Sequence, residues 1–110
     1  HTAFLDWLTG EHARGRTLIL ATASDRIIAE QVAAHVGLFS DVLASDAQHN
    51  LRGKKKAEAL IARYGDMKFG YAGNSHHDLP VWKHSGQIIV VNPEKNLLEK
   101  VNNDAHIVFE

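Results

Sequence analysis

Cysteine is absent from the sequence, which excludes disulfides, thiolate metal sites and thiol catalysis, and fits a reducing compartment. Long apolar runs are absent too. None exceeds the four residues of LILA, ALIA or IIVV, against the roughly 20 needed to cross a bilayer, and no signal-peptide pattern opens the chain. Neither sign of charge dominates: 12 Lys and Arg face 13 Asp and Glu. That balance gives no electrostatic case for nucleic-acid binding and favours a small partner. Proline is scarce, with only Pro80 and Pro93, and no linker, repeat or low-complexity tract is visible. At 110 residues the chain suits one domain, residues 1–110, expected to behave as a single cooperative unit with a modest core.

Short apolar runs alternate with helical periodicity. Phe4, Leu5 and Leu8 predict a helix over Ala3–Ala13, with Gly15 as its stop. Thr17–Ala21 reads as a strand, Thr22–Ser24 as a turn, and Ile27, Ile28, Val32 and Val36 place a helix over Asp25–Val36. A short strand follows at Val42–Ala44, then polar loop at Asp46–Gly53. The unit then recurs, with a helix at Lys54–Tyr64 and a strand at Lys68–Ala72. Leu79–His84 reads as a short helix, Gln87–Val91 as a buried strand, Glu94–Val101 as a helix and Ala105–Phe109 as a last strand. Such alternation predicts an α/β fold, a parallel sheet with helices on both faces.

Three polar clusters fall at strand or helix ends, where open α/β sheets keep their chemistry. Thr22 and Ser24 follow LILA; a hydroxyl beside the free amides of a helix start makes an anion pocket, although Ser24 also suits a plain helix cap. Lys54, Lys55 and Lys56 follow Gly53 at a helix start. Cations there oppose the helix dipole, so an anion nearby is one reading and a solvated basic turn the other. A P-loop is excluded, because Gln48 stands where its first glycine belongs and Lys55 where Ser or Thr belongs. The third cluster is GYAGNSHHDLPVW, Gly70–Trp82, with the metal-competent side chains Asn74 and Asp78. Asp78 also suits a helix start before Pro80, and Asn74 and Ser75 suit a turn after Gly73. Zinc is disfavoured: His76 and His77 are adjacent, and no HExxH spacing exists.

Taken in order, the strand ending in Thr22, the helix-start lysine of GKKKAEAL and the loop GNSHHDLP resemble motifs two, three and four of the haloacid dehalogenase-like (HAD) superfamily. The resemblance spans nearly the whole chain. It implies a three-layer Rossmann-like HAD core and a Mg²⁺-dependent phosphohydrolase acting on a small phosphorylated substrate. It gives Thr22 a hydrogen bond to the transferring phosphoryl group and Lys56, set by Gly53, Ala57 and Leu60, a charge-neutralising role. The same carry-over puts Asp78 and Asn74 on the metal side, and Ser24, Gly73 and Ser75 around the phosphate. The run from FLDWL to VVNP is similar to the soluble HAD-type region found ahead of UbiA-type prenyltransferases, which implies a membrane transferase domain in the same polypeptide and a cytoplasmic location.

Two departures from the family pattern shape the expectations. No two aspartates stand two apart, so the D-x-D nucleophile motif is missing, and with it the central strand of the sheet. The chain is therefore expected to be the C-terminal part of a HAD core, inactive by itself, with an altered sheet whose unpaired strands invite self-association. Asn74 stands where the family has an acid. An amide oxygen ligates Mg²⁺ without adding charge, so metal affinity is expected to fall. A catalytically inactive regulatory domain is the alternative to an enzyme, and an unrelated doubly wound binding module a further one.

Overall fold

The computed structural model describes residues 2–45, 53–101 and 106–110, so most of the loop expected over 46–53 and the start of the last predicted strand lie outside the described residues. Two compact units divide the chain, Thr2–Arg52 and Gly53–Glu110.

The first unit contains α1 (Thr2–Ala13), β1 (Ile19–Asp25), α2 (Arg26–Val36) and β2 (Asp41–Ser45). β1 and β2 pair in parallel, Ile19 opposite Asp41 and Ala21 opposite Leu43. The predicted turn at 22–24 is instead part of β1, but the ladder is broken there: pairing resumes only at Asp25 opposite Ser45. Three residues of β1 thus face one of β2, a bulge of the kind that re-aims side chains at the end of a strand. The helix cap is Asp25, not Ser24; its carboxylate accepts the amide hydrogen of Ile27 at 2.9 Å. Leu8, Leu18, Ala29 and Ala44 form the buried apolar set of this unit.

The second unit runs α3 (Lys54–Tyr64), β3 (Gly70–Gly73), a 3₁₀ turn (His76–Asp78), α4 (Leu79–Trp82), β4 (Gln87–Val91), α5 (Leu97–Val101) and β5 (Ile107–Phe109). Its strands lie in the order β3-β4-β5, all parallel, with Tyr71 opposite Ile88 and Val90 opposite Val108. β4 is central, and Ile88, Ile89 and Val90 are buried, as a continuous apolar run covered on both faces requires. Val81, Trp82, Leu97 and Val101 complete this core with Ala57 and Leu60 of α3. The strand expected from Lys68 begins only at Gly70, because Met67 takes a left-handed conformation (φ 61°) and donates its amide to His84. The last helix is likewise shorter than predicted: Asn96, at φ 66°, holds its start back to Leu97.

Parallel pairing joined by helices bears out the α/β expectation. Among the described residues, β1 and β2 form one hydrogen-bonded sheet and β3, β4 and β5 another, with β1 and β3 each at an end.

Candidate functional site

β3 ends at Gly73, and the next five residues fold back so that the Asp78 carboxylate lies against the strand end. The chain can do this only because residue 73 lacks a side chain: a Cβ there would meet Asp78 Cγ and Oδ2 at 2.5 Å. Asp78 is buried, 8% exposed. Its Oδ2 accepts the amide hydrogens of Asn74 at 2.9 Å and Ser75 at 3.1 Å, while Oδ1 accepts the Tyr71 hydroxyl at 2.7 Å. Ser75 reciprocates by capping the 3₁₀ turn, its Oγ accepting from the His77 amide at 3.1 Å. The tight turn is therefore closed mainly by its own carboxylate.

Lys56 approaches the same group from α3. Gly53, at φ 51° and ψ −119°, opens that helix without a side-chain cap, a backbone state that suits glycine alone. Lys54 and Lys55 point to solvent; Lys56 is half-buried and donates from Nζ to the Tyr71 hydroxyl at 3.1 Å. A continuous path results, from the Lys56 ammonium through the Tyr71 hydroxyl and the Asp78 carboxylate to the backbone of the loop. Burial pulls the lysine pKa below its usual value, partly opposed by the charge of Asp78. Burial also pushes the Tyr71 phenol up, and the neighbouring carboxylate adds to the shift, so the hydroxyl stays protonated and can donate. Tyr71 is held from behind: the Trp82 indole donates to its carbonyl at 3.0 Å, and the two rings meet edge to face with centroids 6.3 Å apart.

On the outer side of the loop, Glu94 accepts the His76 amide hydrogen at 2.7 Å and pairs with His76 Nδ1, and its own amide donates to the Asn74 carbonyl at 3.0 Å. His76 is thus engaged in a clasp, while His77 is exposed.

In the other unit, Thr22 lies in the β1 bulge. Its Oγ1 accepts the Ser24 amide hydrogen at 3.1 Å, which leaves the hydroxyl hydrogen free to donate; Ser24 itself is exposed. Of the residues expected at the site, Lys56, Gly73, Asn74, Ser75 and Asp78 share one cluster in the second unit, and Thr22 and Ser24 belong to the first unit.

The residues present do not by themselves fit a Mg²⁺ ion. Among the described residues, no three His, Asp or Glu side chains converge. Three of the roughly four lone-pair positions of the Asp78 carboxylate are filled by the hydrogen bonds above, and Asn74 offers only a neutral oxygen.

No family model matches the chain. An uncharacterized protein, y4nM, from Sinorhizobium fredii is 32% identical over 87 residues, 79% of this chain but only 17% of that protein. Among solved structures, a Bordetella pertussis protein of unknown function superposes with a TM-score of 0.82 at 17% identity, over 96% of this chain and 56% of that one. A putative HAD family hydrolase from Streptomyces avermitilis gives 0.67 at 17% identity, covering 98% and 58%. The cobalt-bound deoxy-D-mannose-octulosonate 8-phosphate phosphatase of Haemophilus influenzae gives 0.66 at 16% identity, covering 98% and 60%. The chain thus spans less than two thirds of each of these relatives. The likeness establishes the three-layer Rossmann-like α/β fold of HAD-family hydrolases. No helix among the described residues is long and apolar enough to cross a membrane.

Two residues of the cluster escape motif reading. Tyr71 belongs to an otherwise small or apolar strand end, and its signal is the hydroxyl, which needs a partner once buried. Glu94 follows β4 in VVNPE, and its signal is position: the loop after a parallel strand neighbouring β3.

Proposed function

We propose that this chain is the C-terminal part of a single HAD-type phosphohydrolase domain acting on a small phosphomonoester. The observation that carries the reading is the half-buried Lys56, a cation fixed beside the loop at the carboxyl end of a parallel strand and, among the described residues, bonded to a hydroxyl and not to a carboxylate. A lysine held this way keeps N–H donors for an anion. In the proposed reaction, a carboxylate from outside this chain attacks phosphorus, the phosphorus–oxygen bond to the alcohol breaks, and the alcohol leaves with a proton donated by a second upstream carboxyl group. Water then cleaves the acyl phosphate and releases phosphate. Lys56 would stabilise the negative charge on the phosphoryl oxygens, and the Thr22 hydroxyl would donate to one of them. Ser24 of the first unit, and Gly73 and Ser75 of the second, are the further phosphate-side residues of this reading. Asn74 and the remaining capacity of Asp78, which do not fit Mg²⁺ by themselves, would hold it only together with further carboxylates from the upstream segment, and the ion would supply charge neutralisation.

The same reading makes the parent protein a UbiA-type prenyltransferase fusion carrying this domain on the cytoplasmic face of a membrane. That β1 and β3 each end a sheet among the described residues supports an intermolecular or upstream strand as their partner. The test is hydrolysis of p-nitrophenyl phosphate, with and without Mg²⁺, by a longer protein that includes the upstream segment. Lys56→Ala is expected to lower kcat/KM by about 10²- to 10³-fold, with Thr22→Ala next, and the chain alone is expected to show no turnover. Equal rates for Lys56→Ala and the unaltered protein would remove the reading.

A second reading, a catalytically silent regulatory domain, is favoured by one observation: the loop offers a neutral Asn74 and a largely committed Asp78 where a metal needs charge. Activity that is absent and not recovered by Asn74→Asp would select it.

A further inference from the structure

We propose that Tyr71 is a positioning residue that sets the Lys56 ammonium and ties it to the conformation of the 74–78 loop. The inference rests on the reading of Lys56 as a phosphate-facing cation and adds a residue that the motifs do not include.

The geometry is a directional chain. A phenolic oxygen can accept one hydrogen bond while donating another, and Tyr71 does both: it accepts from Lys56 Nζ at 3.1 Å and donates to Asp78 Oδ1 at 2.7 Å. The tyrosine has little freedom to do otherwise. It is 9% exposed, its strand register is fixed opposite Ile88, and Trp82 holds its carbonyl and packs against its ring. Interposing a hydroxyl between ammonium and carboxylate has a chemical consequence. A direct pair would spend the lysine charge on Asp78; the bridge anchors the ammonium through one of its three N–H donors and leaves the other two for an incoming anion. Nζ lies 5.7 Å from the ring centroid, so the anchoring point is the oxygen at the ring's tip.

The far end of the chain is the loop backbone. Asp78 Oδ2 accepts from the Asn74 and Ser75 amides, so a change in the loop shifts the carboxylate, the carboxylate shifts the hydroxyl and the hydroxyl shifts the ammonium. Tyr71 therefore makes lysine position a readout of loop state.

The test uses the Lys56 Cε and Hε resonances of the whole chain, assigned with Lys56→Arg, and titration with inorganic phosphate. Tyr71→Phe removes the bridge but keeps the ring. Asp78→Asn alters the link beyond the hydroxyl: its amide can place the oxygen toward the two backbone N–H groups or toward the Tyr71 hydroxyl, but not toward both. Both variants, with folding checked by circular dichroism and Trp82 fluorescence, are expected to move the Lys56 resonances. Tyr71→Phe is expected to weaken phosphate binding roughly 3- to 10-fold but to add nothing in a Lys56→Ala background. Lys56 resonances that coincide with those of the unaltered chain in both variants overturn the proposal, as does an undiminished Tyr71→Phe effect in the Lys56→Ala background. Should phosphate leave the unaltered chain's Lys56 signal in place while both substitutions still move it, the phosphohydrolase reading falls and the positioning role stands.

Discussion

The two units of the chain solve the same packing problem to different degrees. The Gly53–Glu110 unit has three parallel strands around a fully buried Val90, with Val81 and Leu97 at 0% exposure, and a polar cluster whose hydrogen bonds close on one another. Among its described residues, the Thr2–Arg52 unit has two strands and nothing larger than leucine in its buried apolar set. On its α2, Ile27 is 70% exposed, Ile28 56% and Val32 46%, so the apolar stripe that gave the helix its periodicity covers little within the unit. Two strands alone are marginal in water, whereas three with a covered face can stand. The difference places the secure part of the fold around Lys56, Tyr71 and Asp78. The Thr22 bulge sits on the less supported part.

The sharpest way to break that contrast is to damage the secure unit. Gly73→Ala puts a methyl 2.5 Å from the Asp78 carboxylate, which must give up its bonds to Tyr71 and two amides. A loss of about 2–4 kcal/mol is expected from overpacking plus stranded polar groups. Urea denaturation of a Trp7→Phe background, in which Trp82 reports on this unit alone, measures it; a change within about 0.5 kcal/mol would falsify the account of the turn. A smaller effect should appear without any substitution. Amide hydrogens of β4 are expected to exchange on the order of 10- to 100-fold more slowly than those of β1 and β2, since buried central strands open last. Equal protection in the two sheets would erase the comparison.

Legibility in the sequence follows the same division of labour. Helix and strand positions were readable because their signals are local: Ala57 and Leu60 one turn apart, and QIIVV as an uninterrupted buried run. Backbone detail was not, because it depends on partners. Thr22–Ser24 looks like a turn in isolation, but parallel pairing with β2 carries the strand through it as a bulge. Ser24 and Asp25 are both good caps, and only the position of the Ile27 amide decides for Asp25. At the candidate site, motif spacing drew attention to Lys56 and Asp78. It gave no hint that a tyrosine seven residues before the aspartate would stand between them, since strand alternation says which face Tyr71 takes but not what reaches across to it.

The least effect expected concerns the exposed clasp of Glu94 on His76. Glu94 has a pKa lowered from its ordinary 4.5, first because its carboxylate accepts the His76 backbone amide, then because of the His76 ring. A carboxylate with a folded pKa below its unfolded one binds fewer protons in the folded state between the two values. Its contribution is therefore present above the ordinary value and lost as pH falls through the lowered one. Glutamine at 94 keeps an oxygen for the His76 amide but loses the charge. Thermal melts of the chain and of Glu94→Gln, followed by Trp82 fluorescence in the Trp7→Phe background from about pH 6 down to about pH 3, should differ above the window and converge at its acid end. Because the group is solvent-exposed, the gap should be small and should shrink further in salt. A constant offset at every pH would instead mean that Glu94 holds the loop by shape and hydrogen bonding alone. The charge would then add nothing to the closure of the secure unit around Asn74.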